Sequence, residues 1–537
     1  MSKRRVLAIG LDGYERTLGE AMMAVGELPA LAWLHRESAR FSLDHGSAQR
    51  TGLAWEHISS GLSPDAAQRW AAVSFDPKSY ATWQEGTRFE PFPARLRART
   101  VVFDTPYFDL RRAPAVRGLV DWGAHDPGTR PASRPGSLLP EFTSKFGAYP
   151  AKQWIYGVPW SSPERARKMG TSLTLATDVR GRAARWLLGE RLSDWDLAIV
   201  VVSELHSAVE GLWHGVDPDH PLHHLPSARA AGDGLRSVYR AVDRLVGNLL
   251  DRFHDTPAVV FATGGMGPNR SDVASMVLLP ELLYRHTFGK ELFESPASWQ
   301  GAPNGIAMLG EDESWTAAVN AFLPDAPRRR RPLTSLVRRV RARVSRSPGP
   351  VRLPLEWMPA ARYQSYWHRM PAFALPSFYD GRIRINVAGR ERHGVVPLRH
   401  YETACDQIEA LLYACRDPLT GHGVVDVIER PGRKNPLAVG PTQSDLIVVW
   451  RGMPVMFDHP KFGRIGPTPY RRPGGHTGLL GVAYLTGTGL EHGDHGLRST
   501  FDVVPTLVDL LGESRPARMS GESLFTEGRP AIRALAS

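Results

Sequence analysis

Two runs of nearly uninterrupted apolar residues, one inside Val6–Gly13 and one inside Trp195–Ser203, constrain the fold of this chain more than any other feature. A strand on the surface of a sheet alternates apolar and polar side chains, whereas a strand covered on both faces does not. Both runs read as covered strands, the kind found in the middle of a parallel sheet. The first ends in Gly10-Leu-Asp-Gly13, a sharp turn that puts Asp12 at the strand's carboxyl end. Ligands of open α/β sheets collect at that edge, so Asp12 is a candidate metal or phosphate handler. A turn aspartate capping the next helix explains the same residue.

The pieces that follow alternate in type. Tyr14–Ala39 carries an interrupted apolar stripe and reads as helix. In the stretch from Gly46 to Pro64, Thr51 lies just before an apolar-patterned segment, where a helix start can hold an oxyanion. An ordinary N-cap threonine fits equally well. TVVF opens a strand at 100, and Pro131–Pro140 reads as loop. Ser162–Leu192 and Leu235–Phe253 read as helices, and 257–268 as a strand running into a glycine-rich loop. Directly after the strand at 195–203, His206 and Glu210 stand four apart and face one way on a helical turn, so they can share a cation. His214, His220, His223 and His224 crowd behind them. Later, Arg382–Gly394 reads as strand and turn, Tyr401–Ala414 as helix, Ser444–Trp450 as strand and Phe501–Gly512 as helix. Strands alternating with helices imply an α/β fold, a doubly wound and mainly parallel sheet flanked by helices.

A chain of 537 residues exceeds one ordinary core and implies a large α/β domain with insertions, or two domains. Its net charge of +11 is local: residues 328–346 hold nine arginines and no acidic residue, leaving +2 elsewhere. That distribution argues against a surface coated for specific nucleic-acid binding and for one basic arm, 326–346. Arg328, Arg329, Arg330 and Arg331 open the arm and are candidate anion-binding residues. Its apolar residues recur at helical spacing, so an acidic partner, a membrane surface or simple solvation of an insertion are all open. No transmembrane segment is evident. The two cysteines, Cys405 and Cys415, lie on one expected helix and cannot staple a fold, which points to a reduced, cytoplasmic protein.

Taken in order, eight pieces resemble the alkaline phosphatase superfamily, and most closely its type I phosphodiesterase/nucleotide pyrophosphatase branch. They are GLDG at 10–13, RTGLAW with SSGLSP within 50–64, VVSELHSAVEGLWHGVDPDHP at 201–221 and VVFATGGMGP at 259–268. INVAGRE at 385–391, SDLIVVW at 444–450, GGHTGLLGVAYLTGTG at 474–489 and FDVVPTLVDLLG at 501–512 complete the series. The resemblance implies an alkaline-phosphatase-like core over 1–269 and 381–537, with an inserted cap over 270–380. It also implies two zinc-type ions about 4 Å apart that clamp the oxygens of an in-line displacement.

Carried over residue by residue, the ligand set is altered. Asp12 matches the first-strand aspartate, Thr51 the nucleophile and His476 the late histidine. The Asp-x-x-x-His pair of the family is His206 and Glu210 here, and its Asp-His pair is Thr263 and Gly264. A hydroxyl and a glycine cannot replace a carboxylate and an imidazole, so one ion is expected to be lost. His206, Glu210 and His476 would still form a two-histidine, one-carboxylate set for one divalent ion, zinc or manganese. The expectation is a single-metal hydrolase of a small anionic phosphate, phosphonate or sulfate ester, with Thr51 as nucleophile and Asp12 as its base. The alternative is a non-hydrolytic biosynthetic enzyme or a catalytically silent binding protein on the same fold.

Overall fold

The computed structural model describes residues 5–157, 161–311, 313–324, 350–431, 435–438 and 440–525. The basic arm with Arg328–Arg331 lies outside the described residues. The chain forms two compact units: the first takes Met1–Gln68, Phe89–Asn269 and Arg472–Ser537, the second Arg69–Arg88 and Arg270–Arg471.

The first unit is built on a nine-stranded sheet. Its strands are β1 (Val6–Leu11), β2 (Ala39–Asp44), β3 (Thr100–Phe103), β4 (Arg117–Val120), β5 (Ala132–Arg134), β6 (Leu197–Val202) and β7 (Ala258–Ala262). A short ribbon pairs β8 (Gly265–Pro268) with β9 (Gly474–Gly478), and the sheet is completed by β10 (Leu480–Thr486) and β11 (Gly493–Ser499). The order across the sheet is β11-β2-β10-β7-β1-β6-β3-β4-β5. β10 runs antiparallel to both neighbours and β5 to β4, while the other pairings are parallel. The two apolar runs of the sequence are adjacent, registered from Val6 against Leu197 to Leu11 against Val202, and every residue in them is buried.

Helices cover the sheet. Pro163–Trp186 begins with Ser162 as N-cap and Pro163 at its first turn, and it packs on Ala228–Arg252. The second of these buries Leu235, Val238, Val242, Leu245, Val246 and Leu249, an i, i+3/i+4 stripe in the same buried apolar cluster as the sheet residues Ile9, Val200 and Val260. It starts seven residues before the expected Leu235, because Ala228, Ala230 and Ala231 are helix-compatible and buried though they break no pattern.

Two local expectations are corrected. Tyr14–Ala39 is not one helix but two, Arg16–Ala24 and Pro29–Glu37, followed by strand at Ala39. Gly26 takes φ +78 between them, and Pro29 restarts the helix at its first position. The expected loop at Pro131–Pro140 contains the edge strand β5 and the start of a helix at Leu138.

The second unit holds an antiparallel four-stranded sheet, Ala372–Leu375, Gly381–Ile385, Leu446–Trp450 and Val425–Glu429, beside the helix Tyr401–Tyr413. It also holds a ribbon of Val73–Asp76, Ala81–Glu85 and Arg352–Leu353. The strands at 381–385 and 446–450 pair with each other and not with the central sheet, so 381–471 groups with this unit and the first unit resumes at Arg472.

Candidate metal centre

The carboxyl ends of β1 and β6 build the site. Asp12 N donates to Val202 O at 2.9 Å, which sets the Asp12 turn beside the point where β6 ends. The helix Glu204–Leu212 starts two residues later and is buried throughout. Gly13 makes this approach feasible: it takes φ +78, and a Cβ there would lie 2.3 Å from Cα of His206. The ribbon then returns the chain, with the backbone at Gly474 so close to the helix that a Cβ would lie 2.1 Å from Val209 O. His476 is thereby delivered from the far end of the sequence.

His206 is the centre of the arrangement. Its Nδ1 is 3.2 Å from each carboxylate oxygen of Asp12. Its Nε2 is 3.4 Å from Glu210 Oε1 and 3.0 Å from His476 Nε2. Of the expected trio, His206 thus lies against both Glu210 and His476. A fourth residue, His125, joins it: the ring stacks on His206 at 3.7 Å between centroids, and Nε2 lies 3.2 Å from Glu210 Oε2. Donor atoms of His125, His206 and Glu210 all lie within 4.8 Å of one another, and all three residues are buried.

The electrostatics suit a cation. Burial pushes the His206 and His476 imidazoles below their ordinary value, which keeps them neutral and able to coordinate. Burial alone would raise the Asp12 carboxyl, but the adjacent His206 takes it below the ordinary carboxylate value. Asp126, next in sequence to His125, is likewise held low: burial opposes this, and His125 outweighs it. Arg472 is buried and ion-paired with Glu210 Oε1. Three carboxylates face one guanidinium here, a surplus of two negative charges that one divalent ion balances. Two or three imidazole nitrogens with a carboxylate oxygen match the preference of zinc-like ions.

The loop carrying His125 is fixed from below. The Asp104 carboxylate accepts from the backbone N–H of Trp122 and Gly123, both at 2.8 Å. Fully buried Arg180 donates to Asp104 at 2.8 Å, to both Glu204 oxygens at 3.0 Å and to Gly123 O at 3.2 Å. One guanidinium thus ties the His125 loop to the first turn of the His206 helix.

Thr51 is hydrogen-bonded within its own turn. Thr51 closes the short 3₁₀ turn Gly46–Thr51, and the following helix, Ala54–Ser60, is capped at Leu53. The Thr51 hydroxyl donates to Ala48 O at 2.6 Å and accepts from Leu53 N at 3.2 Å. Among the described residues no hydrogen bond joins it to Asp12, whose carboxylate is turned to His206. Thr263 and Gly264 follow β7 as aligned. The space beside Gly264 is taken by Gln49, whose Nε2 donates to Gly265 O at 3.1 Å and Gly478 O at 2.8 Å. His214, His220 and His223 are tied to Ser227 Oγ, Pro473 O and His214 O respectively, and serve the fold.

No family model and no curated protein matches this sequence. The fold does have solved counterparts. Phosphonoacetate hydrolase from Sinorhizobium meliloti, solved with phosphonoformate, superimposes with a TM-score of 0.50 at 13% identity, covering 95% of this chain and 96% of that one. Human ectonucleotide pyrophosphatase/phosphodiesterase 5 gives 0.47 at 10% identity, over 97% and 98%. On the first of these likenesses the chain has an alkaline-phosphatase-like α/β fold, a mainly parallel sheet flanked by helices.

Proposed function

We propose that this protein is a metal-dependent hydrolase of a small anionic phosphate, phosphonate or sulfate ester, working with one divalent ion. His206, Glu210 and His476 would hold the ion, with His125 as a further ligand. Zinc fits the nitrogen-rich set best, and manganese is the alternative. The observation that carries the proposal is the buried cluster of His125, His206 and Glu210 at the carboxyl edge of the sheet, with His476 Nε2 3.0 Å from His206 Nε2. When bound, such an ion supplies Lewis-acid stabilisation of charge on the ester oxygens. Gln49, lying beside Gly264, supports one ion in place of two.

The chain's own residues do the rest. Asp12 takes up His206 Nδ1 and so turns Nε2 toward Glu210 and His476, fixing the ring's orientation and tautomer. Thr51 is the proposed nucleophile. Its hydroxyl donates to Ala48 O, an acceptor with no useful basicity, so attack requires transfer to a carboxylate or imidazole, and Asp12 is the base proposed from the motif resemblance. That resting geometry also favours the competing assignment, a non-hydrolytic or silent protein on this fold. The inserted segment 270–380 is the proposed source of ester specificity. The arginine arm is a proposed accessory contact for an acidic partner or membrane surface. Two buried free thiols, Cys405 and Cys415, fit a cytoplasmic setting, and no helix among the described residues is long and apolar enough to cross a membrane.

The test is a metal assay followed by turnover of mono- and bis-p-nitrophenyl phosphates, p-nitrophenyl phenylphosphonate and p-nitrophenyl sulfate. About one zinc or manganese per chain is expected, with activity that falls at least a hundredfold in Thr51→Ala. An active Thr51→Ala variant assigns the attack to water. A wild-type protein with no metal and no turnover supports the silent alternative.

A further inference from the structure

The side chain that neither the motifs nor the proposed chemistry absorbs is Arg472. It is 4% exposed, and its guanidinium sits on Glu210 Oε1. That same oxygen lies 3.4 Å from His206 Nε2, so it is the atom through which Glu210 and His206 would share a metal. The other oxygen, Oε2, is held by His125 Nε2 at 3.2 Å. Glu210 Oε1 therefore has two cationic claimants, one built into the chain and one from solution. A dication on Oε1 would also repel a guanidinium left beside it, strongly so in a dry site.

We propose that Arg472 is an exchangeable counter-cation: it holds Glu210 while the metal is absent, and passes to an anionic oxygen of the ester when the metal takes Glu210. This rests on the single-metal proposal above and gives the same site its anion-holding group. The exchange needs only side-chain rotation, since the backbone around Arg472 is pinned. Pro473 O accepts from Asn269 N at 2.8 Å and from His220 Nε2 at 3.2 Å, and Gly474 is pressed against Val209. A guanidinium stays charged at working pH. A planar, permanently charged fork suits the paired oxygens of a phosphoryl or sulfuryl group. Asp126 is the second carboxylate close enough to act on the guanidinium, and it is itself held by Tyr156 Oη, which donates at 3.1 Å, and by His125 Nδ1 at 3.5 Å.

The experiment uses the full chain stripped with chelator, as wild type, Arg472→Met and Arg472→Lys. Zinc affinity is read by competition with a chromophoric chelator, and inorganic phosphate binding to the zinc-loaded proteins by calorimetry. Arg472→Met is expected to bind zinc about tenfold or more tightly than wild type, and phosphate about tenfold or more weakly. Arg472→Lys moves both quantities in the same directions by less, and it carries the test if the methionine variant does not fold. Equal or weaker zinc binding in the folded variants, or unchanged phosphate binding, overturns the counter-cation role and leaves the metal site standing. Absence of zinc binding in wild type and both variants overturns both.

Discussion

Asp12 and His125 touch the same imidazole from different sides, and they are expected to act on the metal differently. His125 is a proposed ligand, so His125→Ala should release most of the metal at micromolar protein, as His476→Ala should. Asp12 bonds only the far nitrogen of His206. Removing that support typically lowers metal affinity about 10- to 100-fold without emptying the site. Asp12→Asn should therefore keep a full complement in excess zinc and lose it at about 10- to 100-fold weaker chelator challenge. If Asp12→Asn and wild type resist chelation equally, the orienting role is wrong. Asp12 itself was legible, because GLDG ends an unmistakable strand. His125 was not: it stands in Trp122-Gly-Ala-His-Asp126, a loop with no periodicity and no spacing to another ligand. The one available hint was its place shortly after a strand, at the edge where ligands collect. Arg472 was hidden differently, as one arginine of the Arg471–Arg472 pair in a chain whose basicity drew attention to residues 328–346.

At the scale of elements, the arrangement depends on keeping the His125 loop and the His206 helix in one frame, and Arg180 does this. Its guanidinium is fully buried with Asp104 and Glu204, and burial raises the Glu204 carboxyl even though Arg180 counters it. Replacing one partner of such a network strands the others in a dry site, a loss of about 3–5 kcal/mol. Arg180→Met should lower unfolding stability by that amount and speed hydrogen exchange at the Trp122 and Gly123 amides, which Asp104 accepts. A loss under about 1 kcal/mol with unchanged exchange would mean the loop is held by other contacts. The network was invisible in the sequence because its members are dispersed at 104, 180 and 204. The strands it serves were plain, since covered strands announce themselves as apolar runs. Boundaries set by single turns, such as Gly26 splitting the first helical stretch, depend on a backbone angle that composition does not specify.

For the whole molecule, the order of motifs carried the fold across a 537-residue chain, whereas the grouping into units followed strand pairing that no local pattern encodes. The same interior also sets an acid limit on stability. His45 is buried with Nε2 3.1 Å from His57 Nδ1, and burial takes it down to about 4. Burial likewise brings His214 to about 3 and His220 to about 4. Unfolded histidine titrates near 6.5, so the unfolded chain binds protons that these native side chains refuse. Their contribution is complete above about pH 6.5 and is lost as pH falls from there toward 4. At pH 5 each would cost about 2 kcal/mol relative to pH 7.5. Urea unfolding of the chelator-stripped protein should show that decline, to which His206 and His476 also contribute, and His214→Gln should make the slope shallower. The depressed carboxylates Asp12 and Asp126 act with the same sign but at lower pH, so they do not mimic a decline that starts above pH 5. A wild-type stability that is flat between pH 7.5 and 5 would show that these imidazoles find protons, or water, in the native interior.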